Sequence, residues 1–178
     1  MSSIENNNEI INDSTKSEND IKIIEKNIED SNTNLNTSEE LSNIDFEILP
    51  QKYANPDHVF KLIVIGDSSV GKTCLTYRIT TGEFPKRDSP TLGFEFFPIL
   101  IKYKDKILKL EIWDTCGQEA YRSLIKSFYI NSSMAIIVYS IDNKRTFENI
   151  PEWIRQCRNY CSPKTKLILI GNKNDLEK

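Results

Sequence analysis

The chain has 178 residues, 26 acidic and 23 basic, giving a formal net charge of −3, with four cysteines and one histidine. That length accommodates one domain and a tail. No apolar run reaches the length of a membrane span and no basic segment precedes an apolar one at the N-terminus, so neither insertion nor secretion is expected.

Residues 1–57 hold 13 acidic and 4 basic residues, with no Trp, Arg or Gly, leaving 19 basic and 13 acidic for 58–178. The first part, rich in Asn and Ser, is expected to be an acidic disordered extension. Two pieces in it, IKIIEKNIED at 21–30 and LSNIDFEILP at 41–50, could present a short apolar edge to something else; solvated chain is the expectation for both. Asn55-Pro56 reads as the last turn before a domain at 58–178. The basic charge of that domain suits a polyanionic ligand, but no Lys/Arg stripe gathers on one helix, so nucleic acid is not expected.

The domain opens on VFKLIVIGDSSVGKT, Val59 to Thr73. Leu62 to Ile65 form a continuous, largely β-branched run that predicts a strand buried on both faces. The turn that follows, Gly66, Asp67, Ser68, Ser69, Val70, Gly71, Lys72 and Thr73, matches G-x-x-x-x-G-K-[ST]. Its glycines let backbone N–H groups curl around a polyphosphate at the mouth of the next helix, which continues through Cys74. Lys72 is placed to reach the terminal phosphates and the Thr73 hydroxyl to ligate Mg²⁺. A helix is predicted over 71–81, ending near Gly82, then a loop, FPKRDSPT. Residues 94–104 and 106–113 alternate around Lys104-Asp105-Lys106 and predict an antiparallel hairpin. Further predictions are a helix over 119–130, a buried strand at 134–141, a helix from Thr146 to Tyr160 with Pro151 in its first turn, and a second buried strand at 166–172. Alternating strands and helices give an α/β open sheet with its chemistry at the carboxyl ends of the strands.

Two further motifs fall at such ends. DTCGQ at 114–118 places Asp114 to hold Mg²⁺ through water, Gly117 to offer a backbone N–H to a γ-phosphate, and Gln118 to orient a water. Asn172, Lys173 and Asp175 form N-K-x-D, where a carboxylate can accept both the ring N–H and the exocyclic amine of guanine, a paired edge adenine lacks. The cysteines, at 74, 116, 157 and 161, are poorly spaced for zinc and are expected to be reduced packing thiols.

GDSSVGKT, TLGFEF, WDTCGQE and GNKND, in this order and spacing, resemble the Ras superfamily of small GTPases, most closely its Rab branch, from about residue 58 onward. The resemblance implies a P-loop NTPase fold, an open and mostly parallel sheet with helices on both faces, GTP or GDP as ligand with Mg²⁺, and a switch in vesicle trafficking that hydrolyses GTP slowly. It gives Thr91 the switch-I role on Mg²⁺ and the γ-phosphate, Phe84 the place across the guanine, and Gln118, with Lys72 and Thr91, the hydrolytic role. Residues 115 to about 129 correspond to switch II. Phe96, Trp113 and Phe128 correspond to an aromatic triad that meets effectors, with ordinary core packing as the competing reading. Exchange factors, GTPase-activating proteins and effectors are the implied partners. Departures from the family pattern are Cys116 beside the Gly117-Gln118 pair, Asn131-Ser132-Ser133, and Ser140. The family's last strand, its Ser-Ala-Lys loop, final helix and prenylated cysteines would lie past Lys178. The expectation is therefore an incomplete domain at 58–178, lacking the last strand and helix, marginally stable, cytoplasmic and without a prenyl anchor. The competing expectation is a truncated pseudo-GTPase or interaction module that binds little nucleotide.

Overall fold

In the computed structural model the chain divides into two units, Met1–Ile44 and Asp45–Lys178, and the residues described are 45–51, 55–86, 91, 93–115 and 127–176. The described strands are β1 (Phe46–Leu49), β2 (His58–Ile65), β3 (Phe94–Tyr103), β4 (Lys106–Thr115), β5 (Met134–Ser140) and β6 (Lys166–Asn172). They form one sheet in the order β1-β3-β4-β2-β5-β6. β2 runs parallel to both β4 and β5, and β5 parallel to β6, while β3 is antiparallel to β4. The helices are α1 (Lys72–Thr81), α2 (Lys144–Glu148) and α3 (Ile150–Tyr160).

β2 is central and buried on both faces, as its apolar run predicts. Ile63 and Ile65 pack with Tyr129, Ala135, Ile137 and Cys157 under Trp153 and Ile154 of α3. Val64 points the other way, joining Val70, Ile99, Ile112 and Val138 under Leu75 of α1. Each such side chain contributes about 1.5–3 kcal/mol on burial. The hairpin of β3 and β4 forms in full register from Phe94↔Thr115 to Tyr103↔Lys106, with Lys104 taking the positive φ of the turn. α1 ends where expected: Gly82 adopts φ 77° and its N–H donates to the Arg78 carbonyl at 3.0 Å, a left-handed cap that glycine adopts at no steric cost.

Phe46–Leu49 corrects the expectation of a disordered extension through Asp57. This segment is β1, paired antiparallel with β3 from Phe46↔Tyr103 to Leu49↔Leu100. An edge strand with unpaired N–H and C=O groups is a template for another strand, and the extension supplies one. Leu49 is buried, but Phe46 and Ile48 are 54% and 58% exposed, so β1 is held mainly by its backbone and one side chain. Pro50 brings no N–H and ends the ladder; beyond it the Gln51 side-chain amide donates to the Pro98 carbonyl at 3.3 Å. Leu49→Asp is expected to detach β1. Hydrogen exchange at residues 100–103 should then accelerate, and protection equal to that of wild type would refute this account.

The helix expected from Thr146 to Tyr160 is two helices. Pro151 cannot donate to the Phe147 carbonyl, so α2 stops at Glu148, and Asn149 starts α3 by accepting from the Glu152 N–H at 3.1 Å. β6, expected to be buried, is instead an edge in the described sheet, with Leu167 and Ile168 exposed because β5 alone pairs with it among the described residues. The predicted helix over 119–130 lies outside the described residues except at 127–130, of which 127–129 are helical and Ile130 is a turn. No described helix is long and apolar enough to cross a membrane.

Candidate functional site

The loop between β2 and α1 folds as its glycines dictate. Gly66 has φ +141°, and a Cβ there would lie 2.1 Å from the Val138 carbonyl oxygen of β5. Gly71 has φ +94°, and its Cβ would lie 2.3 Å from Nδ2 of Asn172. That Asn172 amide donates to the Val70 carbonyl at 2.9 Å, so the first residue of the N-K-x-D motif also fixes the loop's inner limb. α1 starts at Gly71 with no side-chain cap, so the first-turn N–H groups face the loop and favour an anion there. Lys72 is buried; its ammonium donates to the carbonyls of Gly66 at 3.0 Å and Asp67 at 2.6 Å. A cation is thereby held in the centre of an N–H-lined turn.

Beside it, oxygens from three elements converge. The Thr73 hydroxyl lies 2.7 Å from that of Thr91 and donates to the Asp114 carboxylate. Asp114 is fully buried at the end of β4 and its second carboxylate oxygen has no hydrogen-bond partner among the described residues. Burial pushes its carboxyl up to about 6, against the opposing pull of the Thr73 hydroxyl and the Lys72 charge. A buried carboxylate with an orphan oxygen beside two hydroxyls is a hard, all-oxygen donor set short of positive charge, and it fits Mg²⁺. The Thr115 hydroxyl ties the end of β4 to the Val64 carbonyl of β2 at 2.8 Å, which keeps Asp114 level with the loop.

Residues 61–178 match the Ras family. The chain belongs to that family. Its relatives include the Ras-related proteins RABA1c of Arabidopsis thaliana, 41% identical over 67% of this chain and 56% of that protein, and RABA6a of the same plant, 42% identical over 67% and 52%. Human Ras-related protein Rab-30 is 41% identical over 67% of this chain and 59% of its own length. The chain thus spans a little over half the length of these relatives, and it stands with the Rab-type small GTPases within the family.

Other site residues of this Ras-family chain are placed less completely. Phe84 is 65% exposed, with the Arg78 guanidinium 5.3 Å from its ring centroid. Lys173 has φ +64° and leads into a short 3₁₀ turn, Asn174–Leu176, on which Asp175 is exposed. Gly117, Gln118 and Cys116 lie outside the described residues. Phe96, Trp113 and Phe128 do come together, with centroids 5.1 Å and 5.6 Å apart along the series. A fourth ring completes the group: Phe94 lies 4.6 Å from Phe128 and 5.4 Å from Trp113. The two-residue spacing of Phe94 and Phe96 puts both on one face of β3, a signal in the sequence that the triad alone did not use. Phe94 and Phe96 are 46% and 42% exposed, which ordinary core packing does not explain.

The cysteines divide. Cys157 is buried and its thiol is pushed up to about 12 by desolvation, as expected of a packing residue. Cys74 is exposed on α1, so the packing role expected for it does not hold.

The carboxylate of Asp67, a residue the loop motif already includes, has partners that the motif does not indicate. Both oxygens of Asp67 are engaged by α3 and its cap: Asn149 Nδ2 donates at 2.6 Å and Trp153 Nε1 at 2.7 Å. The partners are more than eighty residues away, and nothing local signals them.

Proposed function

We propose that this chain is a Rab-type switch in vesicle trafficking that binds GTP and GDP with Mg²⁺ and hydrolyses GTP slowly. The observation that carries the reading is the convergence of Lys72, Thr73, Thr91 and Asp114 at the mouth of the phosphate loop. Backbone N–H groups of residues 67–73 take the phosphates, and Lys72 exchanges its two carbonyl partners for phosphate oxygens. Thr73 and Thr91 would hold Mg²⁺ directly and Asp114 would hold it through water, and the chemistry the ion would supply there is neutralisation of phosphate charge. Asp175 selects guanine over adenine, Asn172 and Lys173 support it, and Phe84 lies across the base. Gln118 orients the attacking water, with Gly117 on the γ-phosphate. Loss of that phosphate removes the partner of Thr91 and releases the loop before β3. The aromatic face of Phe96, Trp113 and Phe128 then changes its neighbourhood, which is how effectors would distinguish the two states. Exchange factors and GTPase-activating proteins act on the same loops.

Titration with a fluorescent guanine nucleotide tests this directly. Binding at low-micromolar or tighter concentrations is expected, lost on chelation of Mg²⁺ and not competed by ATP; no binding of either purine nucleotide would overturn the reading. Intrinsic turnover is expected on the order of 10⁻⁴ s⁻¹. Gln118→Leu should suppress single-turnover hydrolysis about a hundredfold or more, the share a positioned general catalyst contributes, while leaving the nucleotide Kd within a factor of about two. An unchanged hydrolysis rate removes Gln118 from its role.

A further inference from the structure

The geometry points to Asp67, Asn149 and Trp153 as a clamp that sets the nucleotide affinity of the phosphate loop by tying it to the start of α3. This rests on the nucleotide-binding reading above and adds to it three positioning side chains that do not themselves touch the phosphates.

A carboxylate inside a loop built to hold a polyphosphate is electrostatically unwelcome, because like charges within a few ångström raise the free energy of the bound state. In this chain the Asp67 carboxylate is committed elsewhere. Its two oxygens accept from the Asn149 amide at 2.6 Å and the Trp153 indole at 2.7 Å, while its backbone carbonyl accepts from the Lys72 ammonium at 2.6 Å. One residue therefore holds the loop's cation with its main chain and α3 with its side chain. All three clamp residues are half-buried, where hydrogen bonds to a charged group are among the stronger ones.

The donors are themselves fixed. Asn149 closes α2 and opens α3, its N–H donating to the Arg145 carbonyl at 3.1 Å. Trp153 lies one turn further along the same helix and packs against the cluster around Ile63, Ile65 and Cys157. The break that Pro151 imposes between α2 and α3 is what turns the Asn149 side chain and the Trp153 indole toward one carboxylate. Without the clamp the carboxylate is free to swing toward the phosphates, and Lys72 loses a fixed carbonyl. Both effects weaken nucleotide binding.

The test compares release of a fluorescent GDP analogue, in Mg²⁺, from the full chain and from three variants. Trp153→Phe keeps the ring and removes the N–H; Asp67→Asn keeps the shape and replaces an acceptor by a donor; the third combines them. Each single variant is expected to release GDP about tenfold to a hundredfold faster, as loss of a hydrogen bond to a charged group implies, and the combined variant no faster than Asp67→Asn alone. The Trp153 indole N–H resonance should also shift between wild type and Asp67→Asn. A tie with a purely structural role would lower the unfolding temperature but leave GDP release unchanged, and that result overturns the clamp while leaving the switch intact. Additive effects in the combined variant overturn it as well. If Trp153→Phe does not fold, Asp67→Asn decides by itself, since it leaves the indole packing in place. Failure of the wild-type chain to bind any guanine nucleotide sinks both readings together.

Discussion

Lys72→Ala is expected to weaken GTP and GDP binding by about a hundredfold to ten-thousandfold. In the fold the ammonium is buried and donates to main-chain oxygens of Gly66 and Asp67. Two charged hydrogen bonds to phosphate at roughly 1.5–3 kcal/mol each amount to about 3–6 kcal/mol, and every 1.4 kcal/mol is tenfold in Kd. The substitution also leaves two inward carbonyls without this donor, so part of the cost falls on the empty loop. Measuring the unfolding temperature without nucleotide beside the Kd separates the two contributions. A variant that binds within threefold of wild type would place the cation outside the phosphate site.

Gly66→Ala is expected to have the largest effect on folding of any single methyl addition to the loop. Its backbone sits at φ +141°, and the added carbon would lie 2.1 Å from the carbonyl oxygen of Val138, a residue 1% exposed in the middle of β5. Neither side can retreat, because β2 and β5 are neighbours in the sheet, paired from Leu62↔Met134 to Ile65↔Ile137. Backbone strain of about 1–3 kcal/mol adds to overpacking of about 1–3 kcal/mol, a large part of the ~5–15 kcal/mol that holds a domain together. Gly82→Ala is the control. It shares a positive φ, yet a Cβ there meets nothing within 4 Å, so it should cost only about 1 kcal/mol. Equal unfolding temperatures for the two variants would show that the contact with Val138 is unimportant.

Local chemistry made much of this legible in the sequence. The buried run of β2, the loop that follows it, the hairpin at Lys104 and the glycine at the end of α1 are each written within a dozen residues, and each forms where its pattern places it. What stayed hidden depends on distant partners. Phe46–Leu49 stands out in its polar surroundings as a short apolar edge, but its pairing is decided by an edge of β3 more than fifty residues downstream. The exposure of β6 is not written in its local pattern: Leu167 and Ile168 read as core because period and composition do not reveal which strand lies at an edge, and the expectation of an exposed sheet edge rests on the family resemblance alone. The Asp67 clamp is the same kind of case, since a polar side chain's partner is a property of the fold. Pro151 marks the intermediate case, visible in sequence as tolerable in a first turn, while the second helix it creates depends on Asn149 adopting the junction.

β1 changes the terms on which anything else can reach that side of the sheet. It is joined to β2 by the few residues between Leu49 and His58, so its local concentration at β3 is of the order of millimolar, the level a short tether gives. A separate peptide present at micromolar levels that sought the same hydrogen-bonding positions would compete at a disadvantage of about a thousandfold. The chain thus carries its own tethered inhibitor of strand addition at Leu100–Tyr103, with an occupancy that depends on the grip of Leu49.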